Sequence, residues 1–139
     1  MNEKKILNLK IAVRFRDLDA MNHVNNAVFF TYFEEGRKTF FYGFGDEGSF
    51  SFILGSVSCR YLKPITLDSK ICLEMWVSKI GGKSFDLNYR IVDQCDPTII
   101  FATGQSTQVS YDYDRNASVE ISGAQRKNLE KYFMEMLPR

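Results

Sequence analysis

The feature that most constrains this chain is a dense aromatic stretch that begins at Asn26. Val28, Phe29, Phe30, Tyr32, Phe33, Phe40 and Phe41 fall within residues 26–42, too many apolar rings for a solvated loop. Phe29, Phe33 and Phe40 share one helical face, with Phe30 and Arg37 beside them, so the spacing predicts a helix to Tyr42. Such a helix runs about 26 Å at 1.5 Å per residue. Its aromatics would nearly encircle it, and a helix apolar over most of its surface has to be buried. Gly43, Gly45 and Gly48 then supply a stop and a flexible loop.

The rest of the chain offers strands to cover that helix. Leu9, Ile11, Val13 and Phe15 alternate with Lys10, Ala12, Arg14 and Arg16, the period of a half-buried strand. Residues 50–63, 71–78, 84–91 and 98–113 read as four more. Gly81-Gly82 between two alternating runs is a hairpin signal. Asp96-Pro97 and residues 114–117 read as turns. Ser122 and Gln125 have capping-box spacing, and Leu129, Tyr132, Phe133, Met136 and Leu137 form a helical stripe after them. The expectation is a single α+β domain over residues 1–139, a five-stranded antiparallel sheet wrapped around a long central helix, with a short C-terminal helix. Its long edge strands invite pairing with another copy, so a homodimer or homotetramer is expected.

A net charge of +1 argues against broad nucleic-acid binding, which needs a basic face. Cys59, Cys72 and Cys95 are odd in number and contain no C-x-x-C pair, the usage of a reducing compartment. No apolar run reaches the roughly 20 residues of a membrane span, and the first residues do not read as a signal peptide. These features point to a cytoplasmic protein with neither a nucleic-acid nor a membrane partner.

If this chain does chemistry, the stretch before the helix is where it is expected. Residues 15–26 hold Asp17, Asp19, the lone His23 and three asparagines. Such residues also build polar turns, so their types alone leave both readings open. A helix that starts near Asn26 presents N–H groups without intrahelical partners and a partial positive charge. That end suits the developing oxyanion of an attacked thioester or ester, with the N–H of Asn26 or Ala27 as donor. Asp19 is the candidate nucleophile or general base, and His23 could orient water, protonate a leaving group or fix Asp19. Asp17 reads as a turn or strand-end residue. One histidine without a Cys/His cluster gives no transition-metal site. Glu34 and Arg37, three apart, would pair on the helix, while Glu35 is a candidate to reach the site. Lys79, Lys83 and Ser84 around the Gly-Gly turn offer either a phosphate cradle or a solvated turn. Arg60 and Lys63 at the end of the second strand are open in the same way.

The runs Val13-Arg14-Phe15-Arg16-Asp17-Leu18-Asp19, His23-Val24-Asn25-Asn26 and Phe33-Glu34-Glu35-Gly36-Arg37 resemble the hotdog-fold acyl thioesterases, most of all the 4-hydroxybenzoyl-CoA thioesterase-like group. The Lys63-Pro64 strand end and the residues 81–85 hairpin fit as well. The resemblance implies that Asp19 is the catalytic carboxylate, that the Asn26 N–H polarises the carbonyl and that Lys83 contacts coenzyme A phosphates. The HVNN run is similar to the acyl-ACP thioesterase branch, which implies catalytic roles for His23 and Glu35. Met21 departs from that branch, which has asparagine two places before the histidine. The function implied is hydrolysis of acyl-CoA with no cofactor, coenzyme A being part of the substrate. The alternatives are an acyl-ACP thioesterase, with acyl carrier protein as partner, and a non-catalytic hotdog that binds acyl groups.

Overall fold

The computed structural model describes residues 6–43 and 51–135. The chain runs through β1 (Leu7–Ile11), a 3-10 turn at Phe15–Asp17 and α1 (Asn26–Tyr42). It continues through β2 (Phe52–Tyr61), β3 (Ile71–Ile80), β4 (Ser84–Asp93), β5 (Ile100–Asp112), the two-residue β6 (Ala117–Ser118) and α2 (Gly123–Glu130). The main path of the sheet is β1-β3-β4-β5-β2, antiparallel throughout, and β6 adds to β5. The long helix lies on this sheet, the hotdog arrangement that the sequence implied.

Side chains alternate across the strands, and the inner set is Ile71, Leu73, Met75 and Val77 on β3 with Phe85, Leu87, Tyr89 and Ile91 on β4, all buried. Phe33 of α1 stacks on Tyr89 at 4.3 Å between ring centroids. The helix meets the sheet closely at two glycines. A Cβ on Gly36 would stand 2.3 Å from Met75 Sδ, and one on Gly104 would stand 2.5 Å from Phe33 Cε2. By the same alternation Trp76 lies on the face away from α1, opposite Asn88.

Four details differ from the sequence pattern. The first strand ends at Ile11 rather than carrying its alternation to Phe15, because Asp17 takes the Arg14 N–H and guanidinium and tightens the chain into a 3-10 turn. Phe15 is left 79% exposed. Secondly, α1 is not encircled, since Thr31, Glu34, Glu35, Lys38 and Tyr42 form an exposed side that the one sheet does not reach. Glu34 and Arg37 do not pair, and Arg37 donates to the Tyr89 hydroxyl instead. The last difference is at α2, which has the expected Ser122–Gln125 capping box but stops at Glu130. Val77 of β3 binds the Tyr132 carbonyl and the Met134 N–H, drawing the chain into a bridge beyond the end of β1. Gly45, Gly48, Met136 and Leu137 lie outside the described residues.

Candidate active site

The polar loop is a small hairpin, not an open coil. Leu18 and Val24 form a bridge, and the Asp19 N–H donates to the His23 carbonyl at 2.7 Å. Asn22 sits at φ 62°, the left-handed conformation that asparagine tolerates at a tight turn. Asp19 Oδ1 accepts the N–H groups of Met21 (2.8 Å) and His23 (3.3 Å). Its Oδ2 has no partner among the described residues. Asp19 and His23 therefore face each other across one turn, and both are exposed.

Two bonds set this hairpin against the helix. The Asn25 N–H donates to the Asp17 carbonyl at 2.9 Å, and the Val24 N–H to the Ile65 carbonyl at 2.8 Å. Asp17 itself is a structural anchor. Its carboxylate is 2% exposed and accepts from Arg14 and from the Tyr32 hydroxyl, 2.8 Å away. Burial raises the Asp17 carboxyl, but the Arg14 N–H, the Tyr32 hydroxyl and the Arg14 guanidinium outweigh it and hold the group below its ordinary value. Burial first, then the bond to Asp17, pushes the Tyr32 phenol well up, so it stays a donor.

At the helix start, Asn25 is the N-cap and its Oδ1 accepts the Ala27 N–H at 2.8 Å. The Val28 N–H is bound to the Asn25 carbonyl at 2.9 Å. Of the two donors that the sequence left open, Ala27 is occupied, and Asn26 has no partner among the described residues. The Tyr61 hydroxyl, at the end of β2, donates to the Asn26 carbonyl at 2.8 Å, and its ring meets Phe29 edge-on at 4.8 Å. Tyr61 was recognisable in the sequence only as an aromatic at a strand end. Arg14 and Tyr32 carry no signal of their role, because the partners come together only in the fold.

Arg60 and Lys63 flank Tyr61 and are exposed at this same end of the sheet. Lys79, Lys83 and Ser84 are elsewhere. Tyr61 pairs with Ala102 and Ser84 with Val109, seven positions apart on β5, about 23 Å at the rise of a strand. The Gly-Gly turn is also braced rather than flexible. Arg126 donates to the Gly81 carbonyl and Ile121 to that of Gly82, and the Glu120 carboxylate lies beside Gly82. An acid at that point works against a phosphate. Glu35 is exposed on α1, about 14 Å along the helix from Asn26, and makes no side-chain bond to the Asp19 hairpin among the described residues. Among those residues no group of three or more His, Cys, Asp or Glu side chains is placed to hold a metal ion.

A cavity of about 270 Å³ opens between α1 and β2, lined in part by Arg37, Phe41, Phe52, Leu54 and Gln108. Its lining is half apolar and half polar, and it lies further along α1 than the helix start.

Residues 13–129, nearly the whole described chain, match the family model of the thioesterase-like superfamily. The chain belongs to that superfamily. Membership places it among thioester hydrolases. The long-chain acyl-CoA thioesterase FadM of Escherichia coli is 25% identical over 88% of this chain and 96% of its own length. A thioesterase from Thermus thermophilus, solved in complex with coenzyme A and Zn, is 25% identical with a TM-score of 0.78, covering 88% of this chain and 95% of that one. A 1,4-dihydroxy-2-naphthoyl-CoA thioesterase from Synechocystis has a TM-score of 0.78 at 12% identity, over 90% of this chain and 96% of that one. At that identity the likeness speaks for the fold alone. No helix among the described residues of this superfamily member is long and apolar enough to cross a membrane.

Proposed function

We propose that this chain hydrolyses acyl-CoA thioesters, with Asp19 as nucleophile or general base and the Asn26 N–H as the oxyanion donor. The observation that carries the reading is the open Asn26 N–H at the start of α1, next to a hairpin that presents Asp19 Oδ2. The thioester carbonyl oxygen accepts from Asn26, where the N–H and the helix end stabilise the negative charge that develops. Asp19 attacks the carbonyl carbon or takes a proton from the water that does. The C–S bond then breaks and the coenzyme A thiolate is protonated; where water attacked, the acid leaves directly, and where Asp19 attacked, a water first hydrolyses the acyl anhydride on Asp19 and so restores its carboxylate. His23, across the turn from Asp19, orients the water or supplies that proton.

Arg60 and Lys63 are the proposed contacts for the phosphates, because they lie at the Asn26 end of the sheet. Lys79, Lys83 and Ser84 are assigned to the same role only across a second copy. Both Asp19 and the outer side of α1 are exposed in one chain, and β2 is an edge of the sheet among the described residues. A homodimer that pairs at β2 would cover the helix, enclose the site and give Glu35 a route to it. No cofactor takes part, since coenzyme A belongs to the substrate.

Release of free thiol from short, long and aromatic acyl-CoAs tests this function, with matched acyl carrier protein thioesters run beside them. Turnover of at least one acyl-CoA above its carrier-protein counterpart is the expected result. Tight acyl-CoA binding without thiol release would make the protein a binding module.

A further inference from the structure

Arg37 sits where α1 passes over β4 and β5, and its bonding is incomplete. Its Nη1 donates to the Tyr89 hydroxyl at 3.1 Å. From there a buried polar chain runs inward. Ser106 donates its single hydroxyl proton to Gln108 Oε1, so the contact between Tyr89 and Ser106 has Tyr89 as donor. Gln108 Nε2 ends the chain on the Phe85 carbonyl at 3.2 Å. Every proton in this series points inward, and no carboxylate belongs to it.

Among the described residues the charge on Arg37 therefore meets no opposite charge. It is half-buried, and neither ion pair found among the described residues includes it. A guanidinium has five N–H donors in a fork matched to carboxylates, and only one bond is made here. Tyr89 cannot balance the charge, because burial holds its phenol in the neutral form. Charged groups drawn out of water normally have a partner.

Arg37 lines the cavity between α1 and β2, with Gln108 on the floor and Phe41, Phe52 and Leu54 as apolar walls. Glu34 and Lys38 stand at the same cavity, both exposed and neither in an ion pair among the described residues, so the three charged groups of the lining carry a net charge of +1. Arg37 is eleven residues beyond Asn26, about 16 Å along the helix. An acyl chain of about twelve carbons whose carbonyl rests on the Asn26 N–H and which follows α1 is long enough to bring its far end to this cavity.

We propose that this cavity is a carboxylate site, and that the substrates are acyl-CoA thioesters whose chain ends in a second carboxylate. The inference rests on the acyl-CoA thioesterase reading for its chemistry but not for its binding contact. The distal carboxylate accepts from the free Arg37 donors while the methylenes lie against the phenylalanines.

Two measurements test it: titration calorimetry with the ketone analogues of dodecanedioyl-CoA and dodecanoyl-CoA, in which a methylene between sulfur and carbonyl prevents hydrolysis, and thiol release from the two thioesters themselves. One charge-assisted hydrogen bond corresponds to about ten- to a hundredfold. The wild type is expected to favour the diacid by about that factor in both assays, and Arg37→Met to lose the preference. Arg37→Lys, which keeps the charge, should retain part of it and serves if the methionine variant does not fold. Thiol release from both thioesters with no diacid preference in either assay overturns this inference and leaves the thioesterase reading standing. Diacid preference in the titration with no thiol release supports the site and overturns the thioesterase reading.

Discussion

The Asn25 side chain takes the Ala27 N–H at 2.8 Å and leaves the Asn26 N–H as the open donor at the start of α1. One cap thus does two things: it fixes the helix end and leaves Asn26 as the N–H that the proposed mechanism assigns to the oxyanion. Asn25→Ala is expected to lower stability by about 1 kcal/mol, seen as a melting temperature a few degrees lower. Asn25→Asp, which keeps the acceptor, should melt close to wild type. Equal loss in both variants would show that the cap is not what matters.

The anchor under the loop gives a pH signature. The Asp17 carboxyl is held below its ordinary value in the fold, so it stabilises the native state above the unfolded carboxylate range, about pH 4. That contribution is lost as pH falls through the lower folded value. Asp17→Asn should be less stable at pH 7 by about 1–3 kcal/mol. Its urea midpoint should also fall less than that of wild type between pH 5 and pH 2. Parallel acid profiles for the two proteins would refute the assignment.

Gly36 allows α1 to approach β3, with Met75 Sδ 2.3 Å from where a Cβ would be. Gly36→Ala must push that side chain and Leu73 aside, a strain of about 1–3 kcal/mol that chemical denaturation would measure. A variant as stable as wild type would mean that the core yields freely there.

In the proposed mechanism Tyr61 is a positioning residue. Tyr61→Phe keeps the edge contact with Phe29 and deletes only the bond to the Asn26 carbonyl. A neutral hydrogen bond contributes about 0.5–1.5 kcal/mol, so kcat is expected to fall by up to about tenfold while KM and melting temperature change little. A drop in melting temperature without a change in kcat would make its role purely structural.

The long helix was legible from residue 26 to residue 42 because the aromatic spacing and the capping asparagine agree, and α1 spans Asn26–Tyr42. The Gly-Gly hairpin was legible for a similar reason: turn chemistry and strand alternation coincide. Where one of these spoke alone, the fold overrode it. Alternation continued to Phe15, but the Asp17–Arg14 bonds end β1 at Ile11. A helical stripe continued past Glu130, but Val77 offers its backbone to Tyr132 and Met134. Glu34 and Arg37 had helical pairing distance, yet Arg37 turns to Tyr89, a residue 52 positions away. Within the site, local sequence marks Asp19, His23 and Asn26, which are near neighbours in the chain. Tyr32, Tyr61 and the polar chain below Arg37 depend on contacts between distant segments, and no short spacing encodes those.

The most direct test of the central claim is thiol release by purified Asp19→Asn with the best acyl-CoA substrate of the wild type. The amide oxygen of asparagine can still accept the Met21 and His23 N–H groups, so the hairpin keeps its shape and only the carboxylate is lost. The account predicts a loss of at least about a hundredfold in kcat, the lower range for removal of a general base, with an unchanged melting temperature. Hydrolysis at the wild-type rate would contradict it and move the catalytic carboxylate away from Asp19.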